Sequence, residues 1–344
     1  MIVRTENLDI DPGFDIEVIA KKEQIVFFDI ETTGLSAGKA GIYLIGTVTY
    51  EEGSWRLKQF FAESIYDEPQ LLDGFFKIIS ERKRSGRVIL ISYNGDGFDI
   101  PFIKRCVRQY SLNHEFTGTV SLDLIKKVRP YKAVLGLPDC SLKTVERHMG
   151  IFREDIYSGG DLIYVYEEYL RLRAEDKHKD ELLYTLLLHN AEDIADLLRV
   201  SGVVGYESAF GGGFEPLRNS LCGSVWDIHA RLDIPLPIGI YRENEFMTVS
   251  ISEEDRLELN IAVNLFKGRL KYFFADYKNY YYLPKEDMAI HKSVGEYVER
   301  SFRRQATART CYQNREGIFV PEYEPVFAPV FYKEYKEKPF YGDI

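Results

Sequence analysis

The sequence predicts an α/β protein: a mixed sheet flanked by helices, followed by a smaller C-terminal α+β domain. Three observations predict it. Short, wholly apolar runs at 25–28 and 88–91 read as strands covered on both faces, because half-exposed strands alternate instead. Segments with apolar residues at helical spacing fall between and after these runs. Past a glycine-rich stretch at 201–217 the pattern turns to period-two alternation. The implied division is an N-terminal extension at 1–21, a main domain at 22–200, a linker at 201–217 and a C-terminal α+β domain at 218–344.

Taken in order, 25–30 is a buried strand that ends in an acid-Thr-Gly turn. Residues 42–50 and 55–61 flank Glu51-Glu52-Gly53-Ser54 and read as a hairpin. Pro69 opens a helix carrying Leu71, Leu72, Phe75, Phe76, Ile78 and Ile79 on one face. The strand at 88–91 delivers Tyr93-Asn94 at its tip, and a helix starts at Asp99 with Phe102, Ile103, Cys106 and Val107 inward. A short strand at 119–122 precedes helices near 141–149, 160–173 and 178–200. Parallel connections through helices gather strand ends along one edge, where ligands bind. In the C-terminal region, 257–263 and 270–274 alternate, a hairpin turn falls at 277–280, a helix near 288–302, strands near 306–312 and 317–320, and an irregular aromatic tail ends the chain.

A chain of 344 residues, 45% hydrophobic and 14% aromatic, can bury a substantial core. No apolar run is long enough to span a membrane, and the N-terminus lacks the apolar segment of a secretory signal. Cys106, Cys140, Cys222 and Cys311 are far apart and form no CxxC pair, as expected of thiols in a reducing cytoplasm. The net charge of −10 argues against a protein that coats nucleic acid by charge alone. A protein whose acids concentrate where bound cations neutralise them escapes that objection.

Four carboxylates stand out by context. Asp29 and Glu31, in Phe28-Asp29-Ile30-Glu31-Thr32-Thr33-Gly34-Leu35, are two apart in a strand and so share a face. Acids ending a buried strand are costly unless paired or metal-bound. Asp99 closes Tyr93-Asn94-Gly95-Asp96-Gly97-Phe98-Asp99; alone it would read as a helix cap. His189 and Asp193 are four apart on a helix and share its face. Glu192 points elsewhere by helical phase, and Asp96 reads as solvated. Asp29, Glu31, Asp99 and Asp193 thus form a candidate metal site, with His189 able to deprotonate an attacking water. Two hard divalent cations, Mg2+ or Mn2+, suit such oxygen ligands and can cleave a phosphodiester.

The three segments resemble the exonuclease motifs of the DEDD superfamily, with its ribonuclease H-like fold. Phe28-Asp29-Ile30-Glu31-Thr32 and Tyr93-Asn94 through Phe98-Asp99, Pro101, Phe102 and Ile103 are similar to the proofreading domains of family B DNA polymerases. In the third motif His189 stands where that group has a tyrosine, while the histidine-type branch spaces its histidine one residue further away. His189-Asn190 with Asp193, Ser121-Leu122-Asp123-Leu124 and Ser141-Leu142-Lys143-Thr144-Val145-Glu146 resemble the YprB-like bacterial exonucleases. The resemblance covers about 22–200. It implies metal-dependent 3′-to-5′ hydrolysis of DNA or RNA, with a single-stranded 3′ end as substrate. Asp29, Glu31 and Asp193 would bind the first cation, Asp29 and Asp99 the second, with His189 as general base. Thr32, Thr33 and Leu35 would contact the terminal nucleotide and Asn94 the strand.

Lys292, Arg300, Arg303, Arg304, Arg309 and Arg315 form a basic cluster with aromatics before and within it. Stacking plus backbone contact holds single strands, so this region is expected to guide substrate. Two rival readings share the fold: a noncatalytic nucleic-acid-binding scaffold and a structure-specific endonuclease.

Overall fold

The computed structural model describes residues 1–342 except 36, 37, 156, 158 and 323–327. The chain divides into two compact units, Met1–Phe214 with Leu232–Gly239, and Glu215–Arg231 with Ile240–Ile344.

In the first unit, strands β1 (Ile2–Leu8), β2 (Ile25–Thr32), β3 (Ile42–Glu51), β4 (Ser54–Phe61), β5 (Val88–Ser92) and β6 (Thr119–Asp123) form one sheet in the order β1-β4-β3-β2-β5-β6. The pairs β1–β4, β4–β3 and β3–β2 are antiparallel; β2–β5 and β5–β6 are parallel. This is the mixed sheet that the apolar runs predict. Ile25, Val26, Phe27 and Phe28 are fully buried, because β2 lies mid-sheet with elements on both faces. The 1–21 extension is not merely an appendage, since β1 adds the edge strand.

Helices α1 (Glu68–Arg82), α2 (Asp99–Gln109), α3 (Ile125–Val128), α4 (Lys132–Leu135), α5 (Leu142–His148), α6 (Gly159–Ala174), α7 (Asp180–Val200) and α8 (Val204–Phe210) complete the unit. α1 packs Phe75 against Phe28 of β2, ring centres 5.4 Å apart. Helix α7 buries Leu186, His189, Asn190, Ile194, Leu197 and Leu198, a stripe at helical spacing. It lies so close to the sheet that a Cβ on Gly46 of β3 would collide with both Ile194 Cδ1 and Asn190 Oδ1. Only glycine fits there, and that fixes the depth at which α7 presents its polar residues.

The expected linker at 201–217 differs. A 3-10 turn, Ser201–Val203, runs into α8, with Val203, Tyr206 and Ala209 buried. Those apolar residues give the segment a packed face, and only the glycines at 211–213 interrupt it.

The second unit is almost wholly β. Strands β7 (Phe214–Cys222), β8 (Val225–Leu232), β9 (Ile240–Glu243), β10 (Met247–Ile251) and β11 (Glu258–Asn264) form a sheet in the order β7-β8-β11-β10-β9. β12 (Phe266–Phe273), β16 (Tyr312–Pro321), β17 (Val330–Tyr332) and β18 (Pro339–Tyr341) close a small barrel around Leu270, Phe319, Phe331 and Phe340. β13 (Tyr280–Leu283), β14 (Met288–His291) and β15 (Arg304–Gln305) make a third sheet. The helix expected near 288–302 shrinks to α9 (Lys292–Gly295) and a 3-10 turn, Arg300–Phe302. Its first residues pair instead in a hairpin, Met288 opposite Leu283. The tail expected to be irregular supplies β17 and β18; residues 323–327 within it lie outside the described residues.

Candidate active site

The site assembles at the ends of β2 and β5 and on one face of α7. Along β2, Asp29 and Glu31 emerge on the face that α7 covers. The β2–β3 register shifts between Glu31 and Thr32, a local irregularity of the kind that re-aims side chains at strand ends. From α7, Asn190 Nδ2 donates to Asp29 Oδ2 (3.1 Å), and Gln59 of β4 donates to Asn190 Oδ1 (3.0 Å). His189 Nε2 lies 3.5 Å from Glu31 Oε1 and 3.7 Å from Asp193 Oδ2. Ligand atoms of Glu31, His189 and Asp193 all fall within 4.8 Å of one another.

Asp99 reaches the same place from the other side of β2. The chain leaving β5 turns through Asn94, which adopts a left-handed φ of 66° that asparagine tolerates. Asp123 at the end of β6 holds this turn, accepting from the Asn94 amide (2.7 Å) and the Asp96 amide (3.2 Å). Asp99 then begins α2, and its Oδ1 accepts from the Ile30 amide (3.2 Å), midway between Asp29 and Glu31. Asp99 thus lies against the strand that carries Asp29 and Glu31, and its charge, with that of Asp193, acts on both.

Their mutual electrostatics record a deficit of positive charge. Burial raises Asp29 well above the carboxylate range, and the charges of Asp99, Glu31 and Asp193 raise it further; the Asn190 hydrogen bond only partly offsets them. Glu31 is raised likewise, first by burial and then by Asp193, Asp99 and Asp155. Burial pushes Asp99 up to about 7 despite its amide hydrogen bonds. A group of acids that resists ionisation together is suited to a cation, which removes the repulsion. The donor set of carboxylates and one imidazole fits a divalent metal. A cleft of about 320 Å³ opens onto Asp29, Glu31, His189 and Asp193 and is also lined by Lys143 and Arg153.

Three residues of the site were not singled out from sequence for the parts they play. Asp155 Oδ2 lies 2.7 Å from His189 Nδ1 and 3.0 Å from Lys143 Nζ. Burial works to raise Asp155, but hydrogen bonds from His189, the Tyr157 amide and Lys143 outweigh it and hold its carboxyl below the usual range. Arg153 bridges Asp193 and Glu146 and is 3.9 Å from Asp196. Glu192, which helical phase sends away from the cleft, accepts from the amides of Glu154 and Asp155 (2.9 Å each) and so anchors the segment bearing Asp155. Asp96, read as solvated, pairs with Lys126. No regular pattern marks 151–158, so only the fold could reveal its residues.

Among the expected substrate contacts, Thr32 Oγ1 donates to the Gly34 carbonyl (3.0 Å), and Thr33 Oγ1 accepts from the Gly41 amide (3.0 Å). Both hydroxyls thereby shape the turn. Leu35 is 87% exposed.

The pattern of the RNase_H superfamily matches residues 26–204, just over half of the chain. The chain belongs to the RNase_H superfamily. The matched span begins within β2 and ends at α8, so it contains every residue of the site just described. That membership supports a nuclease. No curated protein matches the chain. Solved structures similar to it include exonuclease I in a complex with SSB-Ct (12% identity, TM-score 0.31). The zinc-bound E. coli exonuclease I–ssDNA complex gives 12% and 0.31, and an exonuclease I structure discussed for processivity 13% and 0.31. Each covers 66% of this chain, whereas the chain spans only 54–55% of theirs. No helix among the described residues is long and apolar enough to cross a membrane.

Proposed function

We propose that the protein is a metal-dependent 3′-5′ exonuclease that hydrolyses phosphodiester bonds of DNA or RNA. The observation that carries this is the approach of residues from three separate parts of the chain: Asp29, Glu31, His189 and Asp193 line one cleft, and Asp99 accepts from the Ile30 amide between the two β2 acids. Acids brought together at such electrostatic cost need a compensating role, and cation binding supplies one. The polarity from the 3′ end follows from the likeness of the three motifs to DEDD exonucleases.

In this reading Asp29, Glu31 and Asp193 would hold one divalent cation, Mg2+ or Mn2+, and Asp29 with Asp99 would hold another. When bound, such cations neutralise the phosphodiester and make a water acidic enough to attack. The chain's own groups do the rest. Asp155, an acceptor only when ionised, keeps the proton of the imidazole on Nδ1 and leaves Nε2 to take one from water. Glu31, His189 and Asp193 form the tighter group, so His189 is placed either to accept a proton or to ligate. Lys143 and Arg153 line the cleft and offer positive charge to a phosphate. Thr32, Thr33 and Leu35 shape the seat of the terminal nucleotide, and Asn94 meets the strand behind it.

Purified chain with Mg2+ or Mn2+ should shorten linear DNA or RNA labelled at its 5′ end in single-nucleotide steps and leave a circular strand intact. Asp29→Ala and Asp193→Ala should remove that activity. Cutting of the circle would favour an endonuclease, and full activity in either variant would overturn the mechanism.

A further inference from the structure

The third sheet of the second unit carries alternating cations and rings. On β13, Tyr281 has Lys292 Nζ 5.4 Å and the Arg303 guanidinium 4.5 Å from its ring centre. Phe302, next to Arg303 in the chain and 41% exposed, has Lys285 Nζ 4.3 Å from its own. Tyr282, which points the opposite way on the strand, is met by Arg304 at 4.9 Å. Two cation–ring groups, Lys292–Tyr281–Arg303 and Phe302–Lys285, therefore meet at neighbouring positions of the chain. The first is held by close packing: a Cβ on Gly295 would fall 2.7 Å from Tyr281 Cδ2, and Arg303 donates to the Gly295 carbonyl. Just beyond α9, Tyr297 is 92% exposed.

Among the described residues, none of Lys285, Lys292, Arg300, Arg303 or Arg304 is paired with a carboxylate, whereas Arg231 pairs with Asp255 and Lys271 with Glu334. In a chain of net charge −10 this is a local reversal of sign. Glu286, Asp287, Glu296 and Glu299 share the segment, but none of them forms an ion pair with these cations. The structure also revises the grouping expected from sequence. Tyr312 belongs to the barrel wall, 5% exposed and bonded to Asp287, while Lys285, outside the expected stretch, joins Phe302.

We propose that this face binds single-stranded nucleic acid, phosphates lying along the cations and bases stacking on Tyr297 and Phe302. The choice of polyanion rests on the nuclease reading above. The choice of a single strand rests on the rings: an acidic peptide would use the cations and waste the rings, and a duplex hides its base faces, whereas an unpaired strand uses both.

The test is fluorescence anisotropy of the full chain in EDTA with labelled oligonucleotides of about 20 nucleotides, DNA and RNA. Lys285→Glu/Lys292→Glu/Arg300→Glu should weaken binding at least about 10-fold and flatten its salt dependence. Tyr297→Ala, an exposed change that spares the fold, should weaken it by about 5-fold or more at unchanged salt slope. Parent affinity in both variants, or equal competition by polyglutamate or by duplex, overturns the proposal. Dinucleotide hydrolysis with Mg2+ is measured alongside. A parent chain that binds strands through this face yet hydrolyses nothing defeats the nuclease reading alone; one that hydrolyses equally in all variants, with unaltered binding, defeats this proposal alone.

Discussion

Asp155 accepts a hydrogen bond from His189 across 34 positions of sequence, Nδ1 to Oδ2 at 2.7 Å, and so fixes which ring nitrogen faces the carboxylates. Asp155 is itself held by Lys143, and its segment is anchored by the backbone amides that Glu192 accepts from. Replacing it with asparagine keeps the shape but permits the opposite tautomer. Asp155→Asn is expected to lower kcat about 10- to 100-fold with KM little changed. His189→Ala should cost more, about 100- to 10,000-fold if the ring is the general base. Steady-state kinetics on a short oligonucleotide checks both; a parental kcat in Asp155→Asn removes the orienting role.

The crowded acids set the pH behaviour of the metal-free protein. Asp29, Glu31 and Asp99 have folded-state pKa values above the unfolded ones, so the folded state binds more protons from about 4, the ordinary value, upward, to about 7 for Asp99. Their contribution to stability is present in full below that window and is lost as pH rises through it. Asp29→Asn removes one repelling charge and should raise the Tm of the EDTA-treated protein at pH 8 while abolishing hydrolysis. Metal binding near pH 6.5 should release protons. Calorimetry in buffers of different ionisation heat measures that release, and heats independent of buffer would count against it.

Arg153 links Asp193, an acid of the proposed metal site, to Glu146, whose carboxyl burial pushes up to about 7 even with the guanidinium opposing it. Removing the arginine strands a buried acid. Arg153→Met is expected to destabilise the fold by about 3–5 kcal/mol at pH 8. The loss should shrink at pH 5.5, where Glu146 is protonated, and Arg153→Met/Glu146→Gln should recover most of it. Urea melts at the two pH values decide the matter; equal losses at both would mean that the pair is not the cause.

Much of the site was legible because its residues sit where local pattern is strong. Asp29 and Glu31 end a run that can only be a buried strand, and His189 and Asp193 share a helical face by spacing alone. Asp155, Arg153 and Lys143 were not legible as a group. They lie on a short helix and an irregular segment, and the α7 partners of Asp155 and Arg153 are 34 to 40 residues away. In the second unit the alternation at 257–263 marked the strand Glu258–Asn264, but 288–302 mixed apolar and charged residues at spacings compatible with a helix. Pairing of Met288–His291 with β13 overrode that local preference.

The depth of α7 gives a last prediction. Because Gly46 leaves room for Ile194 Cδ1 and Asn190 Oδ1, a methyl group there must push α7 outward or distort β3. Such overpacking costs about 1–3 kcal/mol. The more telling effect is on catalysis, since Asn190 grips Asp29 and is one residue from His189. Gly46→Ala should therefore lose activity under conditions where the protein remains folded. Ile194→Val removes the methyl group that the added Cβ would strike first, so the double variant should be more stable than the sum of the single changes predicts. Part of its activity should return, limited by the remaining contact with Asn190. Denaturation curves and hydrolysis rates on the three variants test this together; additive stabilities would show that α7 does not depend on the missing side chain at Gly46.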